Sequence, residues 1–167
     1  VSPDVSYGGA AFIEVEDPTS AHWRPSVRLG AFVDQSRTTF VVPADASGRL
    51  LWLGSSLEGC PGRLEGWGRR LALLPCVTLH LGVLRAEGRG ISRPNHATSF
   101  WADIGPSLRL RWAASARISL EAQGALLFPL TRPTFAITDI VTRAPAAEYS
   151  VGRWGASVAA GVAYRFQ

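Results

Sequence analysis

Apolar and polar positions alternate along most of this chain, and a period of two marks β-strands whose two faces meet different surroundings. Over residues 5–16, Val5, Tyr7, Ala11, Ile13 and Val15 share one face, while Ser6, Gly8, Phe12, Glu14 and Glu16 share the other. The pattern returns at residues 26–37, 49–60, 71–87, 99–112, 117–130 and 153–167. In residues 99–112, Phe100, Ile104, Leu108, Leu110 and Trp112 oppose Trp101, Asp103, Ser107, Arg109 and Arg111. The alternation slips at Leu84-Arg85, which predicts a bulge there or the exit of the strand from a membrane. Turns fall at 17–25, 61–70 and 113–116. Longer loops fall at 38–48, 88–98 and 131–152, the last holding Phe135-Ala136-Ile137, which fits a short strand. No segment sustains helical periodicity, and the glycines of 61–70 allow one helical turn at most. The chain, 1–167, reads as a single all-β domain.

Two architectures suit such strands. In a soluble lipocalin-like β-barrel the apolar face fills the core, and the protein binds a small apolar ligand. In a transmembrane antiparallel up-and-down barrel the apolar face meets lipid and the polar face lines the lumen. Three features favour the second. The polar face is rich in small residues, among them Gly8, Gly30, Gly54, Gly82, Gly105 and Gly161, as a narrow lumen filled by side chains requires. Aromatics sit near the ends of apolar faces: Phe100, Trp112, Tyr164 and Phe166, placed as an interfacial girdle. Short turns and longer loops also alternate along the chain. Strands of roughly 10 to 14 residues exceed the usual soluble length. Seven are visible, one fewer than an even number. The expectation is therefore a barrel of about eight strands whose first strand is lost from, or separate from, this chain. A pairing by residues 135–142, or a larger barrel completed by another chain, is the alternative.

Composition narrows this further. Hydrophobic residues make up 47% of the chain, but no apolar run approaches the roughly 20 residues of a membrane helix. Any crossing must use strands. The net charge of +4 and a pI near 9.8 would suit a nucleic-acid binder. However, the 17 basic residues are all Arg, scattered singly apart from Arg69-Arg70. No basic helix or run forms the footprint that nucleic acid needs. The absence of Met leads us to expect a processed start with an export signal ahead of Val1. Cys60 and Cys76 have no second Cys/His pair to complete a zinc site. Their spacing suits a disulfide stabilising by on the order of 3 kcal/mol in an oxidising compartment, with two buried thiols as the alternative.

The closing residues AAGVAYRF, with Tyr164 and Phe166 on the apolar face, resemble the C-terminal signature strand of small Gram-negative outer-membrane β-barrels. Gln167 departs from that pattern, because the family usually ends on the aromatic itself. The resemblance implies an outer-membrane location, contact with outer-membrane lipid and insertion by the barrel-assembly machinery. It implies no particular activity.

Candidate chemistry lies on the polar face: Glu14, Arg28, Asp34, Glu58, His80, Asp103, Arg109, Arg111, Glu121 and Arg165. In an eight-stranded lumen such charges must pair. The expectation is a salt-bridged plug in a structural or interaction protein that acts through its outer loops, including 131–152. A narrow gated pore is the alternative. An acyl-hydrolase site would draw on His96, Ser99 and Asp103, but nothing further supports catalysis, and the chain reads as a non-enzyme. No cofactor is expected and no metal site: His80 lacks a second ligand, and no phosphate-cradling loop is present.

Overall fold

Each amphipathic strand pairs with its neighbour in sequence, because a strand with one polar edge-to-edge ladder and two unlike faces is satisfied by a short antiparallel return. The computed structural model describes residues 5–17, 24–39, 47–66, 70–89, 96–132, 134–138, 145–150 and 152–166. Its strands are β1 (Tyr7–Glu16), β2 (Ser26–Thr39), β3 (Ser47–Cys60), β4 (Leu64–Gly66), β5 (Leu71–Arg89), β6 (His96–Ala113), β7 (Ile118–Pro129), β8 (Thr134–Thr138), β9 (Pro145–Ser150) and β10 (Gly155–Tyr164).

Eight of these form one antiparallel sheet in the order β1-β2-β3-β5-β6-β7-β10, with β4 paired to β5. Seven strands run the length of the sheet, and β4 is a three-residue addition. The sheet curls into an open half-barrel. It does not close: β1 and β10 stand at its two ends. Six successive antiparallel pairings separate them, so they run the same way and cannot form an antiparallel ladder with each other.

The faces divide as the alternation predicts. The convex face carries exposed apolar side chains, including Ile13, Val15, Leu29, Leu53, Val77 and Leu108. The concave face buries polar ones, including Arg28, Glu58, Thr78, Asp103, Ser107, Arg109, Arg111 and Glu121. The usual globular distribution is inverted. Close backbone approach pins the middle of the sheet. A Cβ on Gly54 would meet the Leu81 carbonyl, and one on Gly82 the Leu53 carbonyl.

Several sequence expectations need correction. No bulge occurs at Leu84-Arg85, where β5 pairs without a break with Trp52 and Leu51 on one side and Ser99 and Thr98 on the other. The alternation only looked broken because Leu84, an apolar residue, occupies the concave face and is fully buried there. The segment 61–70 is not a bare turn but contains β4, which folds back on β5. The loops at 38–48 and 88–98 shrink to 40–46 and 90–95, because the flanking strands pair as far as Thr39 with Ser47 and Ser47 with Arg89. Those connections are no longer than the turns at 17–25 and 61–70, so the contrast in length survives only at 113–116 and 131–152. The tight turn holds through Ala114 N–H and Ser115 N–H donating to Ile118 O, both at 3.0 Å, while the Ser115 hydroxyl accepts from Ile118 N–H at 3.1 Å. Within 131–152, Phe135-Ala136-Ile137 does lie in a strand. That strand, β8, pairs with β9 in a separate two-stranded sheet.

Candidate functional site

Six of the ten charged positions picked out by alternation converge in one network. The register places Glu14, Arg28, Glu58 and Thr78 in one row across β1, β2, β3 and β5. Arg109 and Arg111 rise towards that row from β6, opposite Gln123 and Glu121 of β7. Because the sheet curls, β1 and β2 come within side-chain reach of β6 and β7. Glu14 accepts from Arg28 Nη2 at 2.8 Å, Arg109 Nη1 at 2.9 Å and Arg111 Nη2 at 2.5 Å. Glu121 accepts from Arg28 Nη2 at 2.6 Å and Arg111 Nε at 2.8 Å. Glu58 pairs with Arg109 and accepts from the Thr78 and Ser107 hydroxyls at 2.9 and 3.1 Å and from the Gln123 amide.

Among these six residues charge is balanced, with three carboxylates against three guanidiniums. The network is also dry, since Arg109 has 0% and Glu58 3% of its side chain exposed. Burial of one unpaired charge costs several kcal/mol, so this density of charge is tolerable only with such pairing. Arg28 also lies over the Phe12 ring, 3.7 Å from its centroid, where the negative π face adds to the pairing.

Arg165 lies at the rim of the network. Its guanidinium is more than half exposed and reaches Glu16 at 3.7 Å, and Arg111 reaches the same carboxylate at 3.5 Å, bringing the end of the last strand beside the first. His80 and Asp103 form a separate pair further along the concave face, with Nδ1 2.9 Å from Oδ1. The His80 ring stacks on Trp101, 6.0 Å between centroids, and meets Phe32 edge-on at 5.1 Å. Asp34 lies beyond them, opposite Gly8 and Trp52, outside the six-residue network.

The Cys60–Cys76 disulfide joins β3 to β5 on the concave face. It packs with Ala72 and Leu74 beneath the charges. The Glu58 carboxylate and the two sulfurs lie within 4.8 Å of one another. Sulfurs bonded to each other are not the thiolates a metal takes, so this trio does not suit an ion.

Of the girdle aromatics, Phe100, Trp112, Tyr164 and Phe166 are exposed. Tyr164 and Phe166 meet edge-on at 5.0 Å. Of the residues an acyl-hydrolase site would draw on, Asp103 pairs with His80 and Ser99 donates to the Phe100 carbonyl at 3.4 Å, while the His96 side chain lies outside the described residues. A different row, Ser56, His80 and Asp103, is aligned across β3, β5 and β6. Its serine hydroxyl leans the other way, into the space where Gly30 lacks a Cβ.

Sequence reasoning missed Glu16, Arg63 and Gln123 as site residues. Glu16 and Gln123 share the parity of their strands' polar positions, which was the available signal. Arg63 follows β3 in a segment with no periodicity, and binds Glu16 at 2.7 Å as well as Glu65. Comparison of the chain with protein-family models, curated proteins and solved structures finds no match. Among the described residues no helix is long and apolar enough to cross a membrane, which says nothing of strands.

Proposed function

We propose that this chain is an integral outer-membrane β-barrel protein with a lumen plugged by its own ion pairs, serving a structural or interaction role through its outer loops. The observation that carries this reading is the inverted surface: charges buried on the concave face, large aliphatic and aromatic side chains exposed on the convex one. Each Val, Leu or Phe left in water forgoes up to about 1.5–3 kcal/mol that burial supplies. A contiguous face of such residues is a membrane or partner surface by its size alone. Lipid accounts for it on every strand at once. The soluble alternative needs the apolar face inside the curl, opposite to its position here.

The barrel-assembly machinery is the partner this reading entails during biogenesis, and outer-membrane lipid afterwards. The β8–β9 pair between β7 and β10 is the candidate outer contact surface. The plug reading rests on the six-residue network, whose members span the lumen from β1 and β2 to β6 and β7.

Two measurements test the proposal. A folded, heat-modifiable species that floats with lipid vesicles is expected, and a protein that stays soluble without detergent rejects the membrane reading. In planar bilayers the plug predicts no steady conductance, with Arg109→Ala opening at most a leak. A steady open conductance in the unaltered protein would instead establish the narrow pore.

A further inference from the structure

The two sheet ends define a site of their own. β1 has β2 as its sheet neighbour and β10 has β7, so each presents one edge of backbone N–H and C=O groups outward. The two edges run in the same direction, as the six antiparallel pairings require. The pair formed by Arg165 and Glu16 holds the end of the last strand within the reach of two long side chains from the first. Only an odd number of strands inserted between parallel edges is antiparallel to both.

Burial points to the same place. On β6 the concave side chains Ser107, Arg109 and Arg111 are buried, whereas on β10 the residues in the same rows, Ser157, Ala159 and Gly161, are exposed. The concave side of β10 is a shelf of small residues with no described residue packed over it.

We propose that the seam between β1 and β10 is an acceptor for one β-strand from outside residues 1–167, bonded antiparallel to both edges. This strand alternates strictly. Apolar residues face outward to continue the surface of Val15 and Val158, and side chains larger than Ala face inward to cover the shelf at Ala159 and Gly161. The proposal depends on the curl and the strand directions, and holds whether the convex face meets lipid or detergent. A second copy fits the seam less well, a point that rests on the membrane reading: with both copies inserted in the same orientation, its edges would meet these as parallel ladders, the less stable pairing.

The test uses residues 1–167 folded in detergent and a synthetic 12-residue peptide alternating Leu with Gln. Backbone amide exchange is followed by mass spectrometry over 7–16 and 155–164. Without peptide, both segments should exchange at least tenfold faster than β5. With peptide, both should become protected together, while a peptide of the same composition in blocks protects neither. A strand bonded on both sides uses both alternate sets of its amides. N-methylation of either set should therefore remove protection from one edge and leave the other. Protection of both edges without peptide overturns the proposal. A monomeric mass would then assign the seam to direct β1–β10 closure, and a dimeric mass to a second copy. Protection of a single edge by the unmethylated peptide overturns it as well. Failure of the chain to associate with vesicles would reject the membrane reading and leave this result standing.

Discussion

β6 and β10 carry the same alternation, yet they end in opposite surroundings. Along β6, every second side chain from Asp103 to Arg111 points into the curl, and Asp103, Ser107, Arg109 and Arg111 are buried. Along β10, Ser157, Ala159 and Gly161 point to the same side and stay exposed, as does Val158 on the other side at 90%. Two-faced sequence makes a strand two-faced, but burial comes from what stands across from it. β6 has β5 and β7 as flanks and Glu14 of β1 opposite; among the described residues, β10 has one flank and nothing above its small residues.

The contrast is broken most severely by emptying the buried side of β6. Arg109→Ala takes from Glu58 its guanidinium partner and from Glu14 one of three, and removal of one member of a buried pair costs about 3–5 kcal/mol. Denaturant unfolding of the detergent-folded protein measures it. Arg165→Ala, at the end of β10, removes a partly exposed pair and should cost no more than about 1 kcal/mol. Equal losses at the two positions would mean that the network is not the dry, balanced unit its geometry describes.

The next effect is that of the disulfide. Replacing Cys60 and Cys76 by Ser releases a link spanning 16 residues of sequence between β3 and β5, for a loss of about 3 kcal/mol. The alkylated, non-reduced protein should have a mass free of thiol adducts. A protein that takes up two adducts without reductant would contradict the link.

A charge on the convex face probes the outer surroundings. Val77→Arg, on β5, should cost about 2–4 kcal/mol in a bilayer if that residue lies near the midplane. In water an exposed substitution of this kind changes stability by less than about 0.5 kcal/mol. Unfolding in lipid vesicles therefore separates a lipid-facing surface from a solvated one at a single residue.

Much of this architecture is legible in the sequence because strand parity is a local property. Alternation places Glu14, Arg28, Glu58, Arg109, Arg111 and Glu121 on one face without reference to any neighbour, and it puts Cys60 and Cys76 there too. What parity cannot supply is the partner across the curl. Glu14 meets Arg109 across the curl of the open sheet, 95 residues apart in sequence, and no window of sequence contains both. Parity also misleads where a residue's chemistry disagrees with its face. Leu84 is apolar on the concave side, and it looked like a slip in register. The strand ends were hidden for a different reason: polar residues such as Thr98 read as loop, although the ladder continues through them. β9 begins Pro-Ala-Ala-Glu, which carries no alternation, and Arg63 sits where no period exists at all.

The smallest expected effect sharpens the same comparison at the level of one methyl group. Gly82 lies on the concave face of β5 between β3 and β6, and a Cβ there would meet the backbone carbonyl of Leu53. Backbone cannot step aside as a side chain can, so Gly82→Ala forces the β3–β5 pair apart at the point where Gly54 faces Gly82. Overpacking of this kind costs about 1–3 kcal/mol. A Cβ on Gly161, on the concave face of β10, meets nothing within 4 Å. Gly161→Ala should fall within about 0.5 kcal/mol of the unaltered protein, and the lower backbone entropy of the unfolded chain pushes it towards stabilisation. Melting of the two variants in the same detergent compares them directly. If Gly161→Ala proves as damaging as Gly82→Ala, β10 is as tightly flanked as β5, and the open edge is not a property of the folded protein.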